Sequence, residues 1–183
     1  MNTDSSNNGH APGPSPDRGA RMILVMGVSG CGKTHVGSEL ATALDYRFVD
    51  ADDYHPRANV EKMRAGQPLD DHDRAPWLAR LNALLRHSAA RNQPVVLACS
   101  ALRERYRERL AHRLPTLTVV HLRGSPETIA ERLAARNHRY MPASLLESQF
   151  EALEPPTGAV IEVDITPDVN SIVQTLLAAL RAP

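Results

Sequence analysis

Cysteine is scarce in this chain, with only Cys31 and Cys99 among 183 residues. Two thiols cannot supply a disulfide framework, and they argue against a zinc site and for a reducing compartment. Aromatics are scarce too, at 4%, so the stacking platform that a single-stranded nucleic-acid binder uses is missing. Net charge is absent altogether: 21 basic and 21 acidic residues cancel, leaving no global field toward nucleic acid or an anionic membrane. The longest apolar stretches are far too short to span a bilayer. The N-terminus lacks the charged-then-apolar pattern of a secretion signal, so the cytoplasm is the expected location. Residues Met1 to Ala20 have almost no large apolar side chain and read as a disordered tail. One domain is expected over residues 21–183.

What is present begins with Gly27-Val28-Ser29-Gly30-Cys31-Gly32-Lys33-Thr34, which fits the phosphate-binding pattern G-x-x-x-x-G-K-[ST]. A short apolar run, Arg21 to Met26, precedes it, and Val36, Leu40 and Leu44 follow at near-helical spacing. Strand, glycine loop and helix are the context in which backbone N–H groups converge on a phosphate at a helix N-terminus. Lys33 would reach the outer phosphates, and Thr34 would ligate Mg²⁺. The alternative, a glycine-rich turn that binds nothing, is the weaker reading in this context.

Four further strands are expected at Arg47–Asp50, Pro94–Cys99, Leu117–Leu122 and Ala159–Asp164, with helices between them. Ser100 is expected to cap the helix carrying Leu102, Tyr106 and Leu110, and Pro76 to lie in the first turn of the helix carrying Trp77, Leu81, Leu84 and Leu85. Alternating strands and helices imply an α/β fold, a parallel sheet covered on both sides. The second strand ends in Asp50-Ala51-Asp52-Asp53-Tyr54-His55-Pro56, where ligands gather in such sheets. One carboxylate, Asp50 or Asp52, would hold Mg²⁺ or its water shell and the other accept a proton from an attacking hydroxyl; the bland alternative is an acidic capping turn. His55 would bond a substrate hydroxyl or merely brace the loop. Arg132, Arg136 and Arg139 would place charge on a closing lid. The arginines between Arg103 and Arg113 read as a solvated face with Glu104 and Glu108, apart from Arg103 and Arg107 at its start. Cys31, at a helix N-terminus, is placed where thiol pKa falls, although a small filler is the preferred reading.

Several runs together resemble the gluconate kinase (gluconokinase) family: Met26 to Thr34, Asp50 to Pro56, Asn59 with Lys62-Met63, Gly66 to Leu69, Asp73 to Leu78, Ala98 to Arg103, Tyr106-Arg107 and Ser148 to Glu154. The resemblance covers about Met22 to Pro156. It implies a P-loop kinase of nucleoside-monophosphate-kinase-like fold, with sheet order 2-3-1-4-5 and a lid. It also implies ATP-dependent phosphorylation of D-gluconate at the 6-hydroxyl, with Mg²⁺, in a homodimer. Carried over, Gly27 to Thr34 would bind ATP, Asp52 would orient or deprotonate the sugar hydroxyl, and Arg136 would be the lid arginine. For the gluconate carboxylate, Arg57, Lys62, Arg74, Arg103 and Arg107 stand as equal candidates. Two departures stand out: Cys31 replaces the more usual serine, and the lid reads Arg136-Asn137-His138-Arg139-Tyr140-Met141-Pro142 instead of ending His-Phe-Met-Pro. The rival readings are a kinase of the same fold for another small acceptor such as shikimate, and a nucleotide-dependent binding module without catalysis.

Overall fold

Five short strands, two of them wholly apolar (Met22–Met26 and Val95–Ala98), form one parallel sheet in the computed structural model, in the order β2-β3-β1-β4-β5. The structure describes residues 21–135 and 143–181. The strands are β1 (Met22–Met26), β2 (Arg47–Asp50), β3 (Val95–Ala98), β4 (Thr118–Arg123) and β5 (Val160–Asp164). The helices are α1 (Lys33–Leu44), α2 (Arg57–Arg64), α3 (Asp71–Ala90), α4 (Glu104–Ala111), α5 (Pro126–Ala135), α6 (Ala143–Glu151) and α7 (Val169–Arg181). None of the described helices is long and apolar enough to cross a membrane.

β1 is fully buried and lies between β3 and β4, with Leu24 opposite both Leu97 and Val119. Because a strand's side chains alternate, β1 feeds two separate cores. Ile23 and Val25 pack with Val28, Cys31, Leu40, Ile129 and the apolar face of α7. Met22, Leu24 and Met26 pack with Ala51, Trp77, Leu81, Leu85 and Leu110. The sheet thus separates a core under the glycine loop from a core under the acidic turn.

Two expected helix starts fall elsewhere. α3 begins at Asp71, not near Pro76, because Asp70 and Asp73 form a reciprocal capping box. Pro76 is therefore the sixth helical residue, where its missing N–H deprives the carbonyl four positions back of its usual donor. Ser100 does not cap α4, which starts at Glu104 with Arg103 at the N-cap and no side-chain cap from that residue. The donor is satisfied from afar: the Glu104 N–H donates to Glu154 Oε2 at 2.6 Å.

Candidate active site

The glycine loop leaves β1 at Gly27, whose φ is +146°. A Cβ there would come within 2.8 Å of both Cys31 Sγ and the Leu122 carbonyl oxygen, so only glycine lets the loop close over β4. Gly30, at φ +84°, has the same constraint: a Cβ would meet Leu133 of α5 at 2.7 Å. This packing assigns Cys31 its place. The thiol is 1% exposed, wedged beneath Gly27 in the core of Val28 and Ile129. Burial raises its pKa, outweighing the opposing charge of Lys33. The lowering expected of a helix N-terminus is overturned because desolvation of the thiolate is the larger effect.

Lys33 is folded over the loop, its Nζ donating to the Val28 carbonyl at 3.0 Å. Thr34 begins the chain of contacts leading out of the loop. Its hydroxyl donates to Asp50 Oδ2 at 2.8 Å, and Asp50 Oδ1 accepts from the Asp52 N–H at 3.0 Å. One carboxylate thus joins the start of α1 to the 3-10 turn Ala51–Tyr54 that follows β2. Asp50 is the cap of that turn, as the bland reading had it, and the same carboxylate lies beside the loop threonine.

That turn is held from below by α3. Trp77 Nε1 donates to the Ala51 carbonyl at 2.8 Å, and His55 stacks on the indole with ring centroids 4.2 Å apart and planes 13° from parallel. Asp52 points outward, its side chain 88% exposed and 3.9 Å from His55 Nε2. The pKa of this carboxylate is raised, by desolvation first and then by the charge of Asp50. Burial lowers the pKa of His55, and Arg74 acts in the same direction against the pull of Asp52. The imidazole is therefore neutral near pH 7, with Nδ1 buried and without a hydrogen-bond partner among the described residues.

The five basic candidates are separated by their partners. Arg57 stands in solvent, paired with Glu61 at 2.7 Å. Lys62 is committed to Asp73 at 2.5 Å. Arg107 is a buried staple: Nη1 donates to the Ala101 and Leu102 carbonyls, and Nε donates to Glu104. It holds a turn in which Ala101 has φ +43°, a left-handed conformation costing on the order of 1–2 kcal/mol. Arg103 has a loose contact with Asp71 at 3.9 Å and is 39% exposed. Arg74 donates to the Leu69 carbonyl and lies 5.7 Å over the Tyr106 ring, near enough to His55 to act on it. Arg74 and Arg103 keep the most uncommitted charge on the acidic-turn side. Arg132 anchors α5 by donating to the Ile165 carbonyl. Arg136, with His138 and Arg139, lies outside the described residues.

Two contacts to the site have no counterpart in the motif reading. Gln149 of α6 accepts from the Ser29 N–H in the glycine loop, and Glu154 braces the turn before α4 through both its carboxylate and its backbone N–H. Both residues lie in the run Ser148 to Glu154, but a contact spanning 120 positions leaves no local trace in sequence.

The oxygens present fit a hard cation. Mg²⁺ is an ion held by one or two carboxylates, water and substrate phosphates. Thr34 Oγ1 and Asp50 Oδ2, already adjacent, are the residues that would hold it.

Comparison with known proteins agrees with this geometry. Residues 22–156 match a family described as an AAA domain. The chain is 44% identical to a probable gluconokinase of Xenopus tropicalis, covering 85% of this chain and 90% of that one. It is 40% identical to the thermosensitive gluconokinase of Escherichia coli K12, over 87% of each. The crystal structure of a gluconokinase from Sinorhizobium meliloti 1021 superposes with a TM-score of 0.80 at 43% identity, covering 89% of this chain and 93% of that one.

Proposed function

The chain belongs to the gluconokinase family, and from that premise we propose that it moves the γ-phosphoryl group of ATP in line onto the 6-hydroxyl of D-gluconate. The products are 6-phospho-D-gluconate and ADP. The observation that carries this reading is the relay Thr34–Asp50–Asp52, which brings a candidate base to the phosphate loop through one shared carboxylate.

The loop Gly27–Thr34 cradles the phosphates with amides other than the Ser29 N–H, which Gln149 holds, and Lys33 leaves the Val28 carbonyl to meet the outer ones. Asp52 takes the proton of the attacking hydroxyl; its raised proton affinity suits it to a base poised closer to neutrality. His55, neutral and stacked, orients that hydroxyl or the Asp52 carboxylate. Arg74 and Arg103 receive the gluconate carboxylate at the other end of the acceptor. The resemblance gives Arg136 the charge spreading over the transferring group. Mg²⁺, when bound at Thr34 and Asp50, supplies neutralisation of the phosphate oxygens. A homodimer, which rests on the resemblance, and a cytoplasmic location, which rests on the scarcity of cysteine and the N-terminal composition, complete the proposal.

A coupled ADP-release assay over gluconate, shikimate and related sugar acids and alcohols tests the reading. Gluconate is expected to dominate, and Lys33→Met to abolish turnover while the protein stays folded. ADP release with another acceptor but not gluconate would overturn the substrate. ATP binding with no acceptor-dependent ADP release would leave a binding module.

A further inference from the structure

The loop N–H groups of a phosphate site are normally kept for phosphate, yet the N–H of Ser29 is satisfied from within the protein. Its acceptor is Gln149 Oε1 at 2.6 Å. A backbone N–H only donates, so the carboxamide oxygen must face the loop and the NH₂ group must point away from Ser29. Among the described residues no acceptor takes either N–H of that group, although Gln149 is only half-exposed. A planar amide with its oxygen fixed therefore presents two oriented donors at the rim of a phosphate loop.

The mounting is rigid on both sides. Gly30, the next residue of the loop, packs against Ile129 and Leu133 of α5. Downstream of Gln149, the Glu154 N–H donates to the Leu102 carbonyl at 2.9 Å and its carboxylate accepts from Glu104. Donors held in place before the ligand arrives need no reorganisation when charge develops.

We propose that Gln149 binds the outermost phosphate of the nucleotide, with its oxygen pinned by Ser29 and its NH₂ group donating to a terminal phosphoryl oxygen. The assignment rests on the kinase reading only in requiring a triphosphate at the loop. It adds a donor from α6, outside the loop motif, that would distinguish ATP from ADP.

The test compares Gln149→Glu with Gln149→Ala. Glutamate keeps an acceptor for the Ser29 N–H but replaces the NH₂ donors with a negatively charged oxygen, whereas alanine removes both. Calorimetric titration with ADP and with a non-hydrolysable ATP analogue is the primary readout, with thermal melts as the check on folding. Both variants should bind ADP within about threefold of wild type. The analogue should weaken about tenfold in the alanine variant and further, about 30-fold or more, in the glutamate variant, as expected for losing and then inverting a charge-assisted hydrogen bond. kcat should follow the same order. Wild-type binding of the analogue by the glutamate variant would reduce Gln149 to a loop brace and overturn the proposal. So would equal weakening of ADP and analogue in the alanine variant. Neither binding arm needs an acceptor, so failure of the gluconate reading would be seen separately, as wild-type enzyme releasing no ADP with gluconate.

Discussion

Replacing Trp77 with phenylalanine separates the acidic turn from its support while leaving the phosphate loop alone. The indole N–H is the partner of the Ala51 carbonyl, and Ala51 is 0% exposed. Phenylalanine keeps part of the stack on His55 but orphans that carbonyl, at a cost of about 1–3 kcal/mol. The smaller ring loses apolar contact worth about 1 kcal/mol more. A total of about 2–4 kcal/mol should lower Tm by about 5–15 °C for a chain of this size. The kinetic consequence follows from position. Asp52 is the next residue after Ala51, and a displacement of about 1 Å at a reacting group costs on the order of 100-fold. kcat should therefore fall about 10- to 100-fold. KM for ATP should stay within about threefold, since binding lost at a distant site would not appear in it. Circular dichroism gives the melt, because the variant contains no tryptophan; the chain has one. An unchanged Tm, or a rise in KM for ATP as large as the fall in kcat, would refute the view that Trp77 carries the acceptor side alone.

Asp52→Asn should cut kcat by about 10²–10⁴ while KM for ATP changes little. The same substitution should raise Tm at pH 7. A carboxylate whose folded-state pKa is raised binds its proton more tightly when folded, so ionisation destabilises the fold as pH climbs through that value. The gain should accordingly shrink as pH is lowered, and a gain constant with pH would argue against the shift. Arg103→Gln and Arg74→Gln should each raise KM for gluconate about tenfold or more, as loss of a charged hydrogen bond does, with KM for ATP unaffected; Arg57→Gln should leave both constants unchanged. Iodoacetamide should label neither cysteine of the folded enzyme at pH 7.5 and both in urea, because burial raises Cys31 and pushes Cys99 up to about 12. Rapid labelling of Cys31 in the folded protein would contradict its wedged position under Gly27.

Local chemistry was readable where it is carried by neighbours in sequence. The strand Arg47–Asp50 and the loop-to-helix junction at Lys33 stand where periodicity and glycine placement put them. Ser125 caps α5, accepting from the Thr128 N–H, just ahead of Pro126 at the first helical position. The misses share a cause, which is that a distant partner or the surrounding burial outweighs the local signal. Ser100 looked like a cap, but the chain first makes the left-handed residue Ala101 and is then capped by Glu154. At Cys31 the preferred reading, a small filler, agrees with its burial, and only the pull of the helix end on its thiol is outweighed. Arg107 looked like a ligand, but its donors close the turn that precedes α4. Sheet order was supplied by the family resemblance, since apolar runs say which segments are strands and not which are neighbours.

The alternation of β1 has a consequence for how such an enzyme can change over generations. Its odd-numbered residues, Ile23 and Val25, share a core with the phosphate loop, and its even-numbered residues, Met22, Leu24 and Met26, share one with Ala51 and Trp77. Substitutions that reshape the acceptor side through α3 and α4 meet only one face of the sheet, and distant sites of this kind combine nearly additively. New acceptors can thus be sampled by drift or by a library confined to that face, with the energy-donor half of the reaction inherited intact.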